Sequence, residues 1–247
     1  MWERSNKEMM EKKCVVIGAS GDIGSAITLQ LASDGFQFVL HYHCNQQKMD
    51  ELIEKLEDSQ LLDVIQADLS QSDGLAYFLS RLPDDIDHLV IASGRAHIGL
   101  LQEVPNDELD EMIHLHVKAP LAISKHLLPF MLHQKYGQIV LITSIWGEVG
   151  ASCEVVYSTV KGSQNSFIQA LAKEVGPSGI RVNGVSPGFI DTKMNQEIEL
   201  SDQQVIFEEI PLQRPGQPEE IAKVVEFILS DKASYITGEI IRVNGGW

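Results

Sequence analysis

The sequence predicts an α/β fold of the Rossmann-like, doubly wound class: a parallel sheet of about seven strands with helices on both faces. Short apolar runs rich in β-branched residues alternate with segments of helical periodicity along the chain. This alternation is typical of parallel strands joined by helical crossovers. A glycine-rich turn from Gly18 to Gly24 also directly follows the first apolar run, as it does in folds that bind nucleotides.

The predicted strands and helices alternate along the chain, with two helices between the fourth and fifth strands. The strands are expected at Lys13 to Ile17, Phe36 to Tyr42, Val64 to Ala67, His88 to Ala92, Gln138 to Thr143, Arg181 to Val185 and Ile240 to Val243. The helices are expected at Ile23 to Ala32, Gln47 to Glu57, Asp73 to Leu82, Asp107 to Leu115, Pro120 to His133 and Val155 to Val175, with a last one opened by Gln217.

The organisation of the 247 residues favours one domain. Residues 13–247 contain no repeat, low-complexity tract or linker, whereas residues 1–12 are mostly polar and predict a short mobile lead-in. The helical pattern weakens at about 189–212, just after the sixth strand. Ligands of open α/β sheets lie beyond the carboxyl ends of the strands, so this segment is the expected substrate lid.

Composition excludes several classes of protein. A formal net charge of −16 argues against nucleic acid or an anionic membrane as partner, and no apolar run reaches the roughly 18 residues of a membrane span. Three cysteines without Cys-x-x-Cys spacing indicate neither a disulfide framework nor a zinc site. We therefore expect a soluble, cytoplasmic protein that has no metal.

The glycine-rich turn is the candidate phosphate site. It reads Gly18, Ala19, Ser20, Gly21, Asp22, Ile23 and Gly24. Glycines allow the backbone to approach a pyrophosphate, which then lies on the free N–H groups of the helix start. Asp22 places a negative charge near that phosphate, and we expect its side chain to cap the helix and point away.

The end of the second strand predicts which dinucleotide binds. An acid there would bind the ribose 2′-hydroxyl and repel a 2′-phosphate. This chain instead has His41, Tyr42, His43, Cys44 and Asn45, with Lys48 close behind. Because no carboxylate is present, NADP(H) is favoured over NAD(H).

A tyrosine, a lysine and a serine form the candidate catalytic group. Tyr157 and Lys161 are four residues apart on one face of a predicted helix, and Ser144 ends the fifth strand. An ammonium can lower the pKa of a neighbouring tyrosine, ordinarily about 10, so that the phenol exchanges a proton during ketone reduction. A serine hydroxyl can stabilise the carbonyl oxygen.

Together these motifs resemble the short-chain dehydrogenase/reductase family over essentially the whole chain after Lys12. The resemblance implies Tyr157 as acid/base, Ser144 as the carbonyl-positioning group and Lys161 on the nicotinamide ribose. It implies that Asp68 binds the adenine amino group. The implied cofactor contacts are Gly18, Ser20, Gly21, Asp22, Ile23, Gly24, His43, Asp68, Leu69, Ser93, Gly94, Tyr157, Lys161, Pro187, Gly188, Ile190 and Thr192.

Two positions depart from the family pattern. The Asn-Asn-Ala-Gly that follows the fourth strand is Ile91, Ala92, Ser93 and Gly94 here. The asparagine that completes a proton-relay tetrad is replaced by His116. Histidine can hold a water or relay a proton, so His116 is a candidate fourth catalytic residue; the alternative is a hydrogen-bonded core histidine.

The substrate is the least determined property. The lid carries Asp191, Glu197, Glu199, Asp202, Glu208 and Glu209 against Lys193, which is either a solvated face or a rim that attracts a cation. The segment from Ser144 to Tyr157 resembles bacterial reductases of the 5-aminopentanone group on a lysine of elongation factor P. The alternatives are a 3-oxoacyl-(acyl-carrier-protein) or general carbonyl reductase, and a non-catalytic NADP-sensing protein. The resemblance also implies a homo-oligomer, either dimer or tetramer.

Overall fold

The computed structural model describes residues 12–196 and 199–247. Its centre is a sheet of seven strands, all paired in parallel, in the order β3-β2-β1-β4-β5-β6-β7. The strands are β1 Lys12–Ile17, β2 Phe36–Tyr42, β3 Leu61–Gln66, β4 His88–Ile91, β5 Gly137–Ile142, β6 Ile180–Pro187 and β7 Ile240–Val243. The predicted doubly wound α/β fold is confirmed.

Ten α-helices lie in the described part of the chain. They are α1 Asp22–Ala32, α2 Gln46–Ile53, α3 Ser72–Arg81, α4 Asn106–Ile113, α5 Ala119–Gln134, α6 Trp146–Val149, α7 Val155–Val175, α8 Lys193–Gln196, α9 Leu200–Glu209 and α10 Pro218–Leu229. None of these helices is long and apolar enough to cross a membrane.

The two faces of the sheet are buried by different helices. Successive side chains of a strand point to opposite faces; Val15 and Ile17 of β1 therefore join one core, and Cys14 and Val16 join the other. The first core includes residues of α3, α5 and α7. The second includes residues of α1, α2 and α10. Both faces being covered explains why the central strands are apolar throughout.

The register brings the carboxyl ends of the central strands to one edge of the sheet. Ile17 of β1 pairs with Ile91 of β4, and Ile142 of β5 pairs with Val185 of β6. The predicted residues Gly18, Ser93, Ser144 and Gly188 come just after these four strands. The strand order also reverses here, because β1 has β2 on one side and β4 on the other. Such a topological switch point is where ligands of open α/β sheets bind.

Two predicted features differ from the structure. The helices α4 and α5 are joined by a π-helical turn, His114–Lys118, rather than by a break. The lid is not irregular, because α8 and α9 lie within it. Glu197 and residues 1–11 of the predicted lead-in lie outside the described residues; Lys12 already belongs to β1.

Candidate active site

The glycine turn is shaped by two close backbone approaches. Gly18 has a φ of 82°, and a β-carbon there would lie 2.7 Å from the Cα of Ser93. A β-carbon on Gly24 would lie 2.2 Å from the Gly18 carbonyl oxygen. Glycine is therefore required at both positions, since any side chain would force the turn away from β4 or away from α1. Gly21 precedes α1 as its N-cap.

A buried histidine that the sequence did not single out supports this turn. His41 accepts a hydrogen bond at Nδ1 from the Gly18 amide at 3.2 Å, and its Nε2 lies 3.0 Å from the Ala67 carbonyl. Burial lowers the pKa of His41 to about 4, so the ring is neutral and can donate from Nε2 while accepting at Nδ1. The only signal of this role in the sequence is that His41 is the penultimate residue of the apolar strand β2.

The predicted cap by Asp22 is wrong. Gly21 is the N-cap and no side chain caps α1. The carboxylate of Asp22 instead pairs with Lys48 and accepts a hydrogen bond from the Lys193 amide of the lid at 2.8 Å. Burial alone would raise the pKa of Asp22, but these two partners hold it below its ordinary value. Lys48 and a lid residue are therefore both tied to the first residue of α1.

The residues after β3 form a second part of the nucleotide side. One oxygen of Asp68 accepts hydrogen bonds from the amide and hydroxyl of Ser70, at 2.9 and 2.7 Å. The other lies 3.7 Å from His43 Nε2. Burial would raise the pKa of Asp68, and the bonds from Ser70 lower it. Leu69 is 2% exposed and packs in the core, so only its backbone can contact a cofactor.

Ser144, Tyr157 and Lys161 come together beyond β5. Ser144 is buried and makes a side-chain hydrogen bond with Tyr157. Lys161 is 3% exposed, donates to the Ile142 carbonyl at 2.9 Å and lies 5.6 Å from the centroid of the Tyr157 ring. The sequence predicted this group from the spacing of Tyr157 and Lys161, the position of Ser144 and the family resemblance, and in the structure the three residues lie at the same edge of the sheet.

The ionisation of this group differs from the expectation. Burial raises the pKa of Tyr157 to about 12, although the Ser144 hydrogen bond opposes it, and Glu154 raises it further. Burial lowers the pKa of Lys161 to about 7. In the chain itself, desolvation therefore outweighs the expected effect of the ammonium on the phenol.

His116 lies beside the same group. It is fully buried, and its ring meets that of Tyr157 edge to face with centroids 5.9 Å apart. A β-carbon on Gly94 would lie 3.0 Å from His116 Cε1 and 3.6 Å from Lys161 Nζ. Glycine at position 94, next to Ser93 of the predicted set, thus keeps the space between β4 and these two side chains open.

The predicted residues after β6 are held mainly by their backbone. Pro187 accepts from the Ile145 amide at 3.2 Å, and the Gly188 amide donates to Val243 at 3.0 Å. The side chain of Ile190 is buried at 3% exposure, while the Thr192 hydroxyl lies 3.4 Å from the Ile190 carbonyl oxygen. The structure therefore brings this segment to the edge that holds Ser144.

Two side chains that follow Ser144 are engaged within the chain. Glu148 pairs with Arg242 of β7 at 2.6 Å and accepts from Ser186 at 2.8 Å. Trp146 packs against Trp247 with ring centroids 5.1 Å apart. Trp247, which the sequence did not indicate, also donates from Nε1 to Glu209 of the lid at 3.3 Å. Trp247 thus links the segment after Ser144 to the lid.

Comparisons with known sequences show which proteins this chain is similar to. A family model described as Enoyl-(Acyl carrier protein) reductase matches residues 18–247. The Bacillus subtilis protein "Uncharacterized oxidoreductase YmfI" is 48% identical over 242 residues, which cover 96% of this chain and 99% of that protein. The 3-oxoacyl-[acyl-carrier-protein] reductase FabG of Staphylococcus epidermidis is 34% identical over 243 residues, covering 96% and 99%.

Solved structures show the same fold. A crystal structure of YwfH, described as an NADPH dependent reductase involved in bacilysin biosynthesis, superposes with a TM-score of 0.87 at 23% identity, covering 96% of this chain and 98% of that one. A structure described as a putative betaketoacyl-ACP reductase gives a TM-score of 0.84 at 27% identity, covering 95% and 96%.

Proposed function

Because this chain belongs to the short-chain dehydrogenase/reductase family of oxidoreductases, we propose that it reduces a ketone to an alcohol with NADP(H). The observation that carries the proposal is the contact of Ser144, Tyr157 and Lys161 beyond β5. This site lies across the sheet edge from a glycine turn that accepts no side chain at Gly18.

Each member of the group has a chemical task. NADPH, when bound at the glycine turn, would supply the hydride to the carbonyl carbon. The Ser144 hydroxyl donates a hydrogen bond to the carbonyl oxygen and stabilises its developing charge. Tyr157 donates its phenolic proton to that oxygen. The Lys161 ammonium, held by the Ile142 carbonyl at 2.9 Å, stabilises the tyrosinate that remains. His116 completes the group as a fourth member.

The nucleotide side fits a dinucleotide phosphate. Among the described residues no side chain caps α1, so its first N–H groups are free to bind a pyrophosphate. Asp68 and Leu69 follow β3, Ser93 and Gly94 follow β4, and the segment from Pro187 to Thr192 lies at the end of β6, all at the same edge of the sheet. His43 and Lys48 follow β2 and provide the basic groups for a 2′-phosphate.

Lys48 provides a test of the cofactor. Lys48→Met is expected to lower the preference for NADPH over NADH, measured as the ratio of kcat/KM values, about tenfold. A charge-assisted hydrogen bond contributes about 1.5–3 kcal/mol, and each 1.4 kcal/mol is a factor of ten. Lys55→Met, an exposed lysine after α2, is the control. An unchanged ratio would exclude Lys48 from 2′-phosphate binding.

For the substrate, we propose the 5-aminopentanone group on a lysine of elongation factor P. The support is the charge of the lid: Asp191, Glu199, Asp202, Glu208 and Glu209 are all exposed. Such a rim attracts an ammonium and a basic protein surface, and repels an acidic carrier protein.

A 3-oxoacyl-(acyl-carrier-protein) reductase is the second candidate. It is favoured by the 34% identity to FabG of Staphylococcus epidermidis and by the description of the matching family model. The two candidates share one chemistry and differ in the charge of what carries the ketone. A general carbonyl reductase, the third candidate, would turn over small neutral ketones better than either the modified factor or a 3-oxoacyl thioester.

One experiment separates these substrates. Purified protein and NADPH are mixed with elongation factor P that carries the aminopentanone, and the modified lysine is followed by mass spectrometry. We expect a gain of two hydrogens that Tyr157→Phe abolishes. NADPH consumption with a 3-oxoacyl thioester, and no mass change on the factor, would assign fatty-acid chemistry. NADPH binding without turnover of any ketone would indicate a non-catalytic NADP-sensing protein.

The charge of the lid has its own expected outcome. A variant with Glu199→Gln, Asp202→Asn and Glu208→Gln should raise KM for the modified factor severalfold at low salt, since long-range attraction is lost. KM for a small neutral ketone should not change. Equal effects on both substrates would show that the lid charge does not select the substrate.

We further propose a cytoplasmic homo-oligomer. All three cysteines are free, which suits a reducing compartment. An apolar groove lies between α5 and α7, lined by Ile113, Val117, Leu121, Leu128 and Phe167. Leu121 is 46% exposed. Leu121→Glu is expected to reduce the molar mass measured by light scattering, and an unchanged mass would place the interface elsewhere.

A further inference from the structure

The main-chain carbonyl of His116 already has a partner. Pro120 has no N–H to donate to the carbonyl four residues before it, which is that of His116. The side chain of Gln164 on α7 supplies the missing donor, with Nε2 at 2.9 Å from this carbonyl oxygen. Gln164 of α7 thus takes the place of the α-helical donor that Pro120 lacks. The side chain of His116 is the group left facing Lys161.

The imidazole has one satisfied nitrogen and one without a partner. Nε2 of His116 lies 3.0 Å from the Arg95 carbonyl oxygen. Nδ1 is buried and has no hydrogen-bond partner in the described part of the chain. The Arg95 amide also approaches Nε2, at 3.4 Å, but the contact with the carbonyl oxygen is shorter. Because that oxygen can only accept, Nε2 carries the proton and Nδ1 presents a lone pair. A proton on Nδ1 would also be repelled by the neighbouring Lys161 ammonium.

Lys161 has donors that need an acceptor. Its ammonium carries three N–H groups, and one of them goes to the Ile142 carbonyl. The position that a β-carbon on Gly94 would take lies 3.6 Å from Lys161 Nζ and 3.9 Å from His116 Nδ1. Both nitrogens therefore border the same space beside Gly94.

We propose that the imidazole of His116, rather than its main-chain carbonyl, accepts the hydrogen bond of the buried Lys161 ammonium through a bridging water. His116 is then a positioning residue that acts on Tyr157 through Lys161. The inference rests on the proposed reductase site and adds to it which atom of this unusual residue is used.

The charged groups around the pair are few. Lys161 and Tyr157 face His116 from α7, with Glu154 next to Tyr157, and Arg95 faces it from the loop after β4. On the π-helical turn itself, His114 and Lys118 bond instead to Ser72. Burial and the Lys161 charge lower the pKa of His116 to about 3. The ring therefore stays neutral and accepts at every working pH.

The water-bridged hydrogen bond from Lys161 to His116 sets how kcat depends on pH. An acceptor stabilises the ammonium, so its removal lowers the pKa of Lys161 below the value of about 7. Reduction needs the ammonium and falls as the pH rises through this pKa. In His116→Leu we expect the fall to begin about one pH unit lower, which is about a fivefold lower kcat at pH 7. Below about pH 5 the kcat should recover to the wild-type value.

Two matched variants distinguish a hydrogen-bond acceptor at His116 from a side chain that only packs there. His116→Asn keeps an acceptor oxygen and should restore most of the wild-type profile. His126→Leu makes the same change at a histidine of α5 that bonds to the Leu82 carbonyl, and should not move the profile. A loss in His116→Leu that is equal at all pH values, or no loss, would overturn the proposal, because a packing role is not rescued by protons.

A measurement without turnover separates this proposal from the proposed function. Nitrogen-15 NMR of the full chain should show a pyrrole-type Nε2 and a pyridine-type Nδ1 for His116, and a Lys161 Nζ titration that moves down in His116→Asn less than in His116→Leu. Should His116→Leu fail to fold, the tautomer of His116 in the wild-type protein and the Lys161 titration in His116→Asn still test the proposal. A protonated Nδ1 refutes the inference, whichever ketone is reduced.

Discussion

Tyr157→Phe is expected to lower kcat for ketone reduction roughly 10³-fold, the usual contribution of a positioned proton donor. Phenylalanine keeps the ring that packs edge to face on His116, with centroids 5.9 Å apart, and removes only the hydroxyl that bonds to Ser144. The fold should therefore stay unchanged, and the affinity for NADPH should fall far less than kcat. Stopped-flow consumption of NADPH measures the rate, and fluorescence titration measures the affinity.

Tyr235→Phe is the matched control for this change. Tyr235 is fully exposed, between α10 and β7, so loss of its hydroxyl should leave kcat and stability as they are. If Tyr157→Phe retained more than about a tenth of the wild-type kcat, a loss below the usual range for a proton donor, another group would have to donate the proton. The role assigned to Tyr157 would then be withdrawn.

Gly18→Ala is expected to destabilise the protein by about 3 kcal/mol and to weaken NADPH binding strongly. A left-handed residue with a side chain costs roughly 1–2 kcal/mol, and overpacking against a fixed neighbour costs roughly 1–3 kcal/mol more. Gly18 has a φ of 82°, and its new methyl group would lie 2.7 Å from the Ser93 backbone. Relief of this clash moves the turn away from β4, so the amides that face the pyrophosphate lose their alignment.

Gly176→Ala separates the local clash from the general effect of adding a methyl group. Gly176 follows α7 with a φ of −52°, and nothing lies within 4 Å of the position of its β-carbon. This substitution should be neutral or stabilise slightly, by up to about 1 kcal/mol. Urea unfolding gives both free energies. Equal stabilities of Gly18→Ala and Gly176→Ala would mean that the turn is free to move.

Much of the site was predictable because its signals are local. The glycine positions depend on backbone sterics within one turn, and the spacing of Tyr157 and Lys161 places both on one face of a helix. Asp22 was predicted wrongly for the opposite reason. Its partners, Lys48 and the Lys193 amide, lie far from it along the chain, and no local pattern reports a contact across the sheet edge.

The pKa values of Tyr157 and Lys161 also separate what local sequence predicts from what tertiary packing decides. That Tyr157 and Lys161 would be neighbours follows from their spacing. Burial, which raises the pKa of Tyr157 to about 12 and lowers that of Lys161 to about 7, depends on how α7 packs against β5 and the π-helical turn. Desolvation is a property of all surrounding atoms, so residue types in sequence order do not reveal it.

The sequence by itself determined the doubly wound α/β fold, the order of its elements and the place of the nucleotide turn, because periodicity and glycine positions act through neighbouring residues. Only the tertiary structure decided the pairing of Asp22 with the lid, the contact of Trp247 with Trp146 and the free nitrogen of His116. These depend on side chains that meet from distant elements, where small differences in packing choose among several available partners.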